Sequence, residues 1–168
     1  MPVDAVWIPA CIGIGSNLDA PVAQVERAIE DLSALRETRL LAVSHLYRNP
    51  PMGPADQPDY VNAVAVILTR LDARTLLESL QDIEQRFGRD RNVGVRWGPR
   101  CIDLDILTYG LRQISEDGLT IPHPGISQRN FVLFPLLDVA PELDVPGIGK
   151  VRQLARSVDG STLSRVRG

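Results

Sequence analysis

Residues 96–107, RWGPRCIDLDIL, constrain the fold more than any other stretch, because they drive two arginines and two carboxylates from a Gly-Pro turn straight into an apolar strand. Side chains alternate across a strand, so Asp103 and Asp105 share one face while Ile102, Leu104 and Ile106 share the other and can enter a core. Adjacent carboxylates repel and resist desolvation, so the pair asks for a metal, an arginine or a shared proton. Oxygen-only ligands point to Mg²⁺, Mn²⁺ or Ca²⁺. The plainer alternative is an exposed edge strand on which charge discourages pairing between molecules. Gly98 and Pro99 fix a tight turn that brings Arg96 and Arg100 close to the same mouth, and this favours a site.

The rest of the chain supplies a frame for that strand. Residues 5–14 read as a buried first strand ending at the glycines. GIGSNL lacks the third glycine of GxGxxG, and the chain has no GxxxxGK[ST], so a nucleotide would be bound without either loop. Asp19 and Pro21 open a helix with Val22, Val25, Ala28, Ile29, Leu32 and Leu35 at helical spacing. Residues 38–47 return to strand composition, and the proline-rich loop 49–58, NPPMGPADQP, is stiff enough to hold backbone groups out at low entropic cost. Residues 60–69 form a central strand that begins with Tyr60 and Asn62 on a common face, where an amide beside a ring suits a flat heterocycle. Asp72 caps a second helix with Leu76, Leu77, Leu80, Ile83 and Phe87 inward and Gly88 as its stop. Gln81 and Glu84 lie on a different face of that helix, toward the arginines.

A polar loop over 89–95, expected to be mobile, leads to the strand 101–109 and a hairpin connection over 110–118. His123 lies in the extended segment IPHP, and Arg129 and Phe131 lead into an apolar segment ending near Leu137, with Pro135 limiting any helix. A polar tail from Ser157 is expected to be weakly ordered. The order β, α, β, β, α, β with a helical C-terminal addition predicts one domain over 1–168. Its fold class is α+β, a ferredoxin-like sandwich with a mainly antiparallel sheet covered by helices.

Charge and cysteine usage narrow the function. A net charge of -3 argues against general nucleic-acid binding, yet Arg86, Arg89, Arg91, Arg96 and Arg100 cluster with only Asp90 in opposition, which suits a polyanion. Cys11 and Cys101 are too few for a disulfide framework and lack zinc-site spacing, and no stretch is long and apolar enough for a membrane span. These features predict a cytoplasmic protein, by default a monomer.

RWGPRCIDLDIL, taken with IGIGSNL, YRNPPMGPADQPDYVNA and IPHPGISQRNFVLFPL, resembles the 6-hydroxymethyl-7,8-dihydropterin pyrophosphokinases of folate biosynthesis, over residues 11–143. The resemblance implies a ferredoxin-like fold and transfer of the β,γ-pyrophosphoryl group of ATP to the pterin hydroxymethyl oxygen, releasing AMP. It implies that Asp103 and Asp105 bind two Mg²⁺ ions and that Arg89 and Arg100 contact the phosphates, with Arg91 assisting. It further implies that Tyr60 and Phe131 sandwich the pterin, Asn62 reads its edge, and Asn49, Pro50 and Met52 supply backbone contacts. Gln81, Glu84, Trp97, His123 and Arg129 match positions around the nucleotide. Asn92 stands where some relatives carry a lysine, and Pro124 and Gly118 also depart from the pattern. Two alternatives stay open: a metal-dependent phosphohydrolase with His123 as base, and a nucleotide-binding module without activity.

Overall fold

The computed structural model describes residues 6–18, 20–50, 58–87 and 102–166. Ten strands and four helices are described: β1 (Ile8–Ser16), α1 (Pro21–Ser33), β2 (Thr38–Val43), β3 (Tyr47–Asn49), β4 (Tyr60–Thr69), α2 (Ala73–Arg86), β5 (Asp103–Tyr109), β6 (Ile114–Glu116), β7 (Leu119–Ile121), α3 (Asn130–Val139), β8 (Asp144–Val145), β9 (Gly149–Lys150), α4 (Val151–Arg156) and β10 (Ser164–Arg165). The main sheet runs β10-β3-β4-β1-β5, with β2 also on β4, and every pairing is antiparallel. With β2 and β3 counted as one interrupted strand, the β, α, β, β, α, β order and the antiparallel sheet are those of the expected ferredoxin-like sandwich.

Period-two burial in the strands sorts the sheet into two faces. One carries Ile12, Ile14, Val61, Ala63, Ile67, Leu104 and Ile106 against Val25, Ala28 and Leu32 of α1 and Leu76, Leu80 and Ile83 of α2. Asp72 caps α2 as expected, its carboxylate accepting from Thr75 N at 2.8 Å. The other face carries Cys11, Val64 and Leu107 under Leu133 and Leu136 of α3 and Val151 and Ala155 of α4. The face opposite α1 and α2 is therefore covered at one end by α3 and α4.

Three expectations are revised. The predicted strand over 38–47 is two strands that both pair with β4. Ser44 makes the break: its N–H donates to Val64 O at 2.9 Å, and its hydroxyl, in place of a carbonyl, accepts from Val64 N at 2.9 Å. α3 runs through Pro135 to Val139, because burial of Val132, Leu133 and Leu136 outweighs the missing backbone donor. The segment from Ser157, expected to be weakly ordered, has partners as far as Val166. Asn130 Nδ2 donates to Asp159 O at 2.7 Å and Thr162 Oγ1 at 3.0 Å, β10 pairs with β3, and Val166 N donates to Leu46 O at 2.8 Å. Backbone pairing and side-chain amides hold a segment too polar to announce itself by hydrophobic pattern.

Candidate active site

β5 is an edge strand, and its carboxylates stand on the face shared with Leu107, away from the α1 and α2 core. Asp105 is exposed and Asp103 half-buried, whereas Ile102, Leu104 and Ile106 are buried, as the alternation predicts. The outer edge of β5 is covered by side chains and a loop. Glu84, 6% exposed, accepts from Leu104 N at 2.9 Å, and His123 N donates to Leu107 O at 2.9 Å. Glu84 thus fixes the backbone between the two aspartates, a role that the sequence did not reveal.

Register across the sheet lines up the remaining groups. Tyr47 on β3 opposes Asn62 on β4, Asn62 opposes Gly15 on β1, and Gly15 opposes Asp103 on β5. In the adjacent row Val64, Gly13 and Asp105 stand side by side. Two strand spacings therefore separate the Asn62 and Asp103 backbones, about 10 Å. Between them β1 presents only glycine: a Cβ on Gly15 would lie 2.6 Å from Asn62 Oδ1, and one on Gly13 would lie 3.3 Å from Leu107. The two glycines thus make room for neighbouring side chains: Asn62 lies over Gly15, which is buried, and Leu107 lies over Gly13.

The amide end is built from β3, β4 and the start of α3. Asn49 and Asn62 are buried, and Asn62 Nδ2 donates to Asn49 Oδ1 at 2.5 Å. Tyr60 lies opposite Asn49 and on the same face as Asn62. Phe131, in the first turn of α3, lies with Asn49, Pro50, Asn130, Val158 and Thr162 around a cleft of about 390 Å³. The C-terminal segment 158–162 therefore forms a wall that the sequence had not indicated. Arg129 bridges the two ends, its guanidinium 5.8 Å from the Phe131 ring centroid and folded over Gly125, where a Cβ would meet its Nε at 2.6 Å.

The carboxylate end holds His123. Its Nδ1 accepts from Gly125 N at 3.0 Å, which places the proton of the neutral ring on Nε2, and Nε2 stands 4.0 Å from Asp105 Oδ2. Burial holds the imidazole below its ordinary range; Asp105 opposes this and Arg129 adds to it. Neutral His123 can donate from Nε2 without adding a charge. Among the described residues no group of three or more His, Cys, Asp or Glu gathers as a closed metal cage. Two carboxylates on one face of an edge strand, one exposed and one half-buried, suit a hard cation that takes its other ligands from a phosphate substrate or water.

Of the expected site residues, the structure brings together Asn49, Pro50, Tyr60, Asn62 and Phe131 at one end and Asp103, Asp105 and His123 at the other, with Arg129 between. Gln81 is exposed on α2. Met52, Arg89, Arg91, Trp97 and Arg100 lie outside the described residues, as does loop 89–95. In the sequence Gly13 and Gly15 read as the end of a strand and as part of an incomplete nucleotide loop; glycines two residues apart inside an apolar strand are the signal for a close approach between neighbours.

Known proteins resemble this chain in sequence and in fold. Residues 11–141 match the model of the family described as 7,8-dihydro-6-hydroxymethylpterin-pyrophosphokinase (HPPK). A 2-amino-4-hydroxy-6-hydroxymethyldihydropteridine pyrophosphokinase from Haemophilus influenzae is 46% identical over 149 residues, covering 89% of this chain and 92% of its own length. One of the same description from Pseudomonas aeruginosa is 43% identical, covering 94% of this chain and 96% of its own. A crystal structure of Plasmodium falciparum HPPK-DHPS superposes with a TM-score of 0.73 at 14% identity, over 97% of this chain and 47% of that one. The chain thus spans about half the length of that solved structure.

Proposed function

The chain belongs to the 7,8-dihydro-6-hydroxymethylpterin-pyrophosphokinase family, and from that premise we propose how the open face of its sheet divides the work. The enzyme transfers the β,γ-pyrophosphoryl group of ATP to 6-hydroxymethyl-7,8-dihydropterin, a step of folate biosynthesis. The pterin hydroxyl oxygen attacks the β-phosphorus, the bond from that phosphorus to the α,β-bridging oxygen breaks, AMP leaves with the bridging oxygen, and the hydroxyl proton is released.

One observation carries the assignment of residues: the row Asn62, Gly15, Asp103, with a hydrogen-bonding amide and a carboxylate on the two strands that flank a glycine of β1. The amide end takes the pterin. Tyr60 and Phe131 stack on its faces, Asn62 pairs with its edge, and the backbone at Asn49, Pro50 and Met52 adds contacts. The carboxylate end takes the triphosphate. Asp103 and Asp105 would hold Mg²⁺, two ions in this reading, and bound Mg²⁺ supplies charge neutralisation at the phosphates. Glu84 keeps β5 in place beneath them. His123 and Arg129 orient the nucleotide, with Gln81 and Trp97 beside it, while Arg89, Arg100 and Arg91 clamp the phosphates through forked guanidinium groups.

Residues 1–168 act as one pyrophosphokinase domain, a monomer that works in the cytoplasm on small molecules. No described helix is long and apolar enough to cross a membrane. The test is product analysis with ATP, Mg²⁺ and the hydroxymethyl dihydropterin. AMP should form in equal amount to pterin pyrophosphate and only when pterin is present; phosphate release without pterin, or no turnover, would overturn the assignment.

A further inference from the structure

The Asn49 side chain stands behind the amide that faces the ligand, and its hydrogen bonds have a direction. Asn49 Nδ2 donates to Pro50 O at 3.1 Å. A carbonyl can only accept, so the end of the Asn49 amide facing Pro50 must be its NH₂ and the other end its oxygen. That oxygen meets Asn62 at 2.5 Å, so Asn62 must present its own NH₂ there. The Asn62 oxygen then falls on the opposite side, over Gly15, where a Cβ would lie 2.6 Å from it. Asn49 and Asn62 are 5% and 8% exposed, so water has little access to substitute for either bond.

We propose that the side chain of Asn49 is a positioning residue for specificity: the relay from Pro50 O through Asn49 fixes the amide of Asn62 in one of its two rotations. In that rotation Asn62 offers the ligand an oxygen acceptor and its remaining N–H. The complementary ligand edge is an N–H beside a C=O, a ring lactam. A ring that carries a bare nitrogen beside an amino group presents the reverse pattern and would meet donor against donor. This inference rests on the pterin reading of the amide end and deepens it, because it assigns discrimination at the lactam to a side chain that the ligand need not touch.

Gly15 belongs to the same device. Any side chain there would press on the Asn62 oxygen, which is held from behind and has no free rotation by which to yield.

The test measures binding to the full chain, with Mg²⁺ and a nonhydrolysable ATP analogue present, of 6-hydroxymethylpterin and of its 2,4-diamino counterpart, in which the lactam is replaced by ring nitrogen and amine. A mildly alkaline buffer keeps the diamino ring neutral. The unaltered protein should prefer the lactam strongly. Asn49→Leu removes the relay and lets Asn62 turn, so the preference should fall by about tenfold. Asn49→Asp keeps an acceptor toward Asn62 and should retain the preference even if both ligands bind more weakly. A merely structural role for Asn49 predicts that both variants weaken both ligands in proportion. Unchanged preference in Asn49→Leu, or equal loss of preference in Asn49→Leu and Asn49→Asp, would overturn the proposal. Failure of the unaltered chain to bind the pterin would instead overturn the pterin reading itself.

Discussion

Gly15→Ala adds one methyl group beneath the Asn62 amide on the strand between Asn62 and Asp103, and the structure fixes where it goes. The new Cβ would stand 2.6 Å from Asn62 Oδ1, inside ordinary van der Waals contact, so the amide must retreat by about 0.8 Å or turn. A flexible side chain would do so cheaply, but Asn62 is tied by its NH₂ to Asn49 and sits in a buried pair. The substitution therefore strains or breaks one buried hydrogen bond, worth about 1 kcal/mol, and misplaces the group proposed to pair with the pterin. Misplacement on the order of 1 Å at a reacting complex can cost about a hundredfold in rate, so kcat/KM for the pterin should fall by roughly tenfold to a hundredfold. The KM for ATP should stay within about twofold, since the clash is with the amide and leaves the aspartates in place. Steady-state AMP formation with each substrate varied in turn reads both, and a thermal melt guards against unfolding. An unchanged pterin KM, or an ATP KM that rises in step with it, would refute the reasoning.

Two further substitution sets test the frame. Glu84→Ala leaves the Leu104 N–H without its carboxylate acceptor on a buried strand edge and should destabilise the protein by about 1–3 kcal/mol, whereas Glu84→Gln keeps an acceptor and should lose less. Equal losses for both in urea melts would remove this hydrogen bond from the account. Tyr47 and Tyr109 are both held above the ordinary tyrosine value of 10.0, in each case first by burial; a bond to Asp138 adds to the effect at Tyr47. Their raised folded values mean that the unfolded chain ionises first. The stability they contribute is complete below pH 10 and is lost as pH rises through their folded values. Melts taken at rising alkaline pH should show a decline that is shallower in Tyr47→Phe and Tyr109→Phe; an identical slope in both would contradict the linkage.

Much of the frame was legible because it rests on periodicity. Alternation placed Asp103 and Asp105 on one face and Ile102, Leu104 and Ile106 on the other, and helical spacing picked out Val25, Ala28 and Leu32 on α1 and Leu76, Leu80 and Ile83 on α2. Tyr60 and Asn62 were read on a common face for the same reason. The break between β2 and β3 has no sequence signal because it depends on a hydrogen bond accepted by one serine hydroxyl, which no propensity scale records. The resemblance matches Glu84 to a position around the nucleotide, and its place against β5 has no signal in the sequence. Only tertiary packing shows that its oxygen caps the edge of β5. The glycine pair of β1 was the largest omission. Gly13 and Gly15 matter for the side chains they lack, and that is visible only when the register brings Asn62 and Asp103 to either side of them. The wall formed by residues 158–162 was hidden likewise, since it is held by Asn130 and by pairing to β3, with little apolar pattern of its own.

The central claim is that the open face has a metal–triphosphate end at Asp103 and Asp105 that is separable from the pterin end at Asn62. It is tested most directly by electron paramagnetic resonance of Mn²⁺, standing in for Mg²⁺, bound with a nonhydrolysable ATP analogue. The variant carrying Asp103→Asn and Asp105→Asn is compared with the unaltered chain. The variant should bind the Mn²⁺–nucleotide complex at least about tenfold more weakly, as loss of both anionic ligands requires, while its affinity for 6-hydroxymethylpterin measured without nucleotide is unchanged. Equal Mn²⁺–nucleotide affinity in the two proteins would contradict the claim.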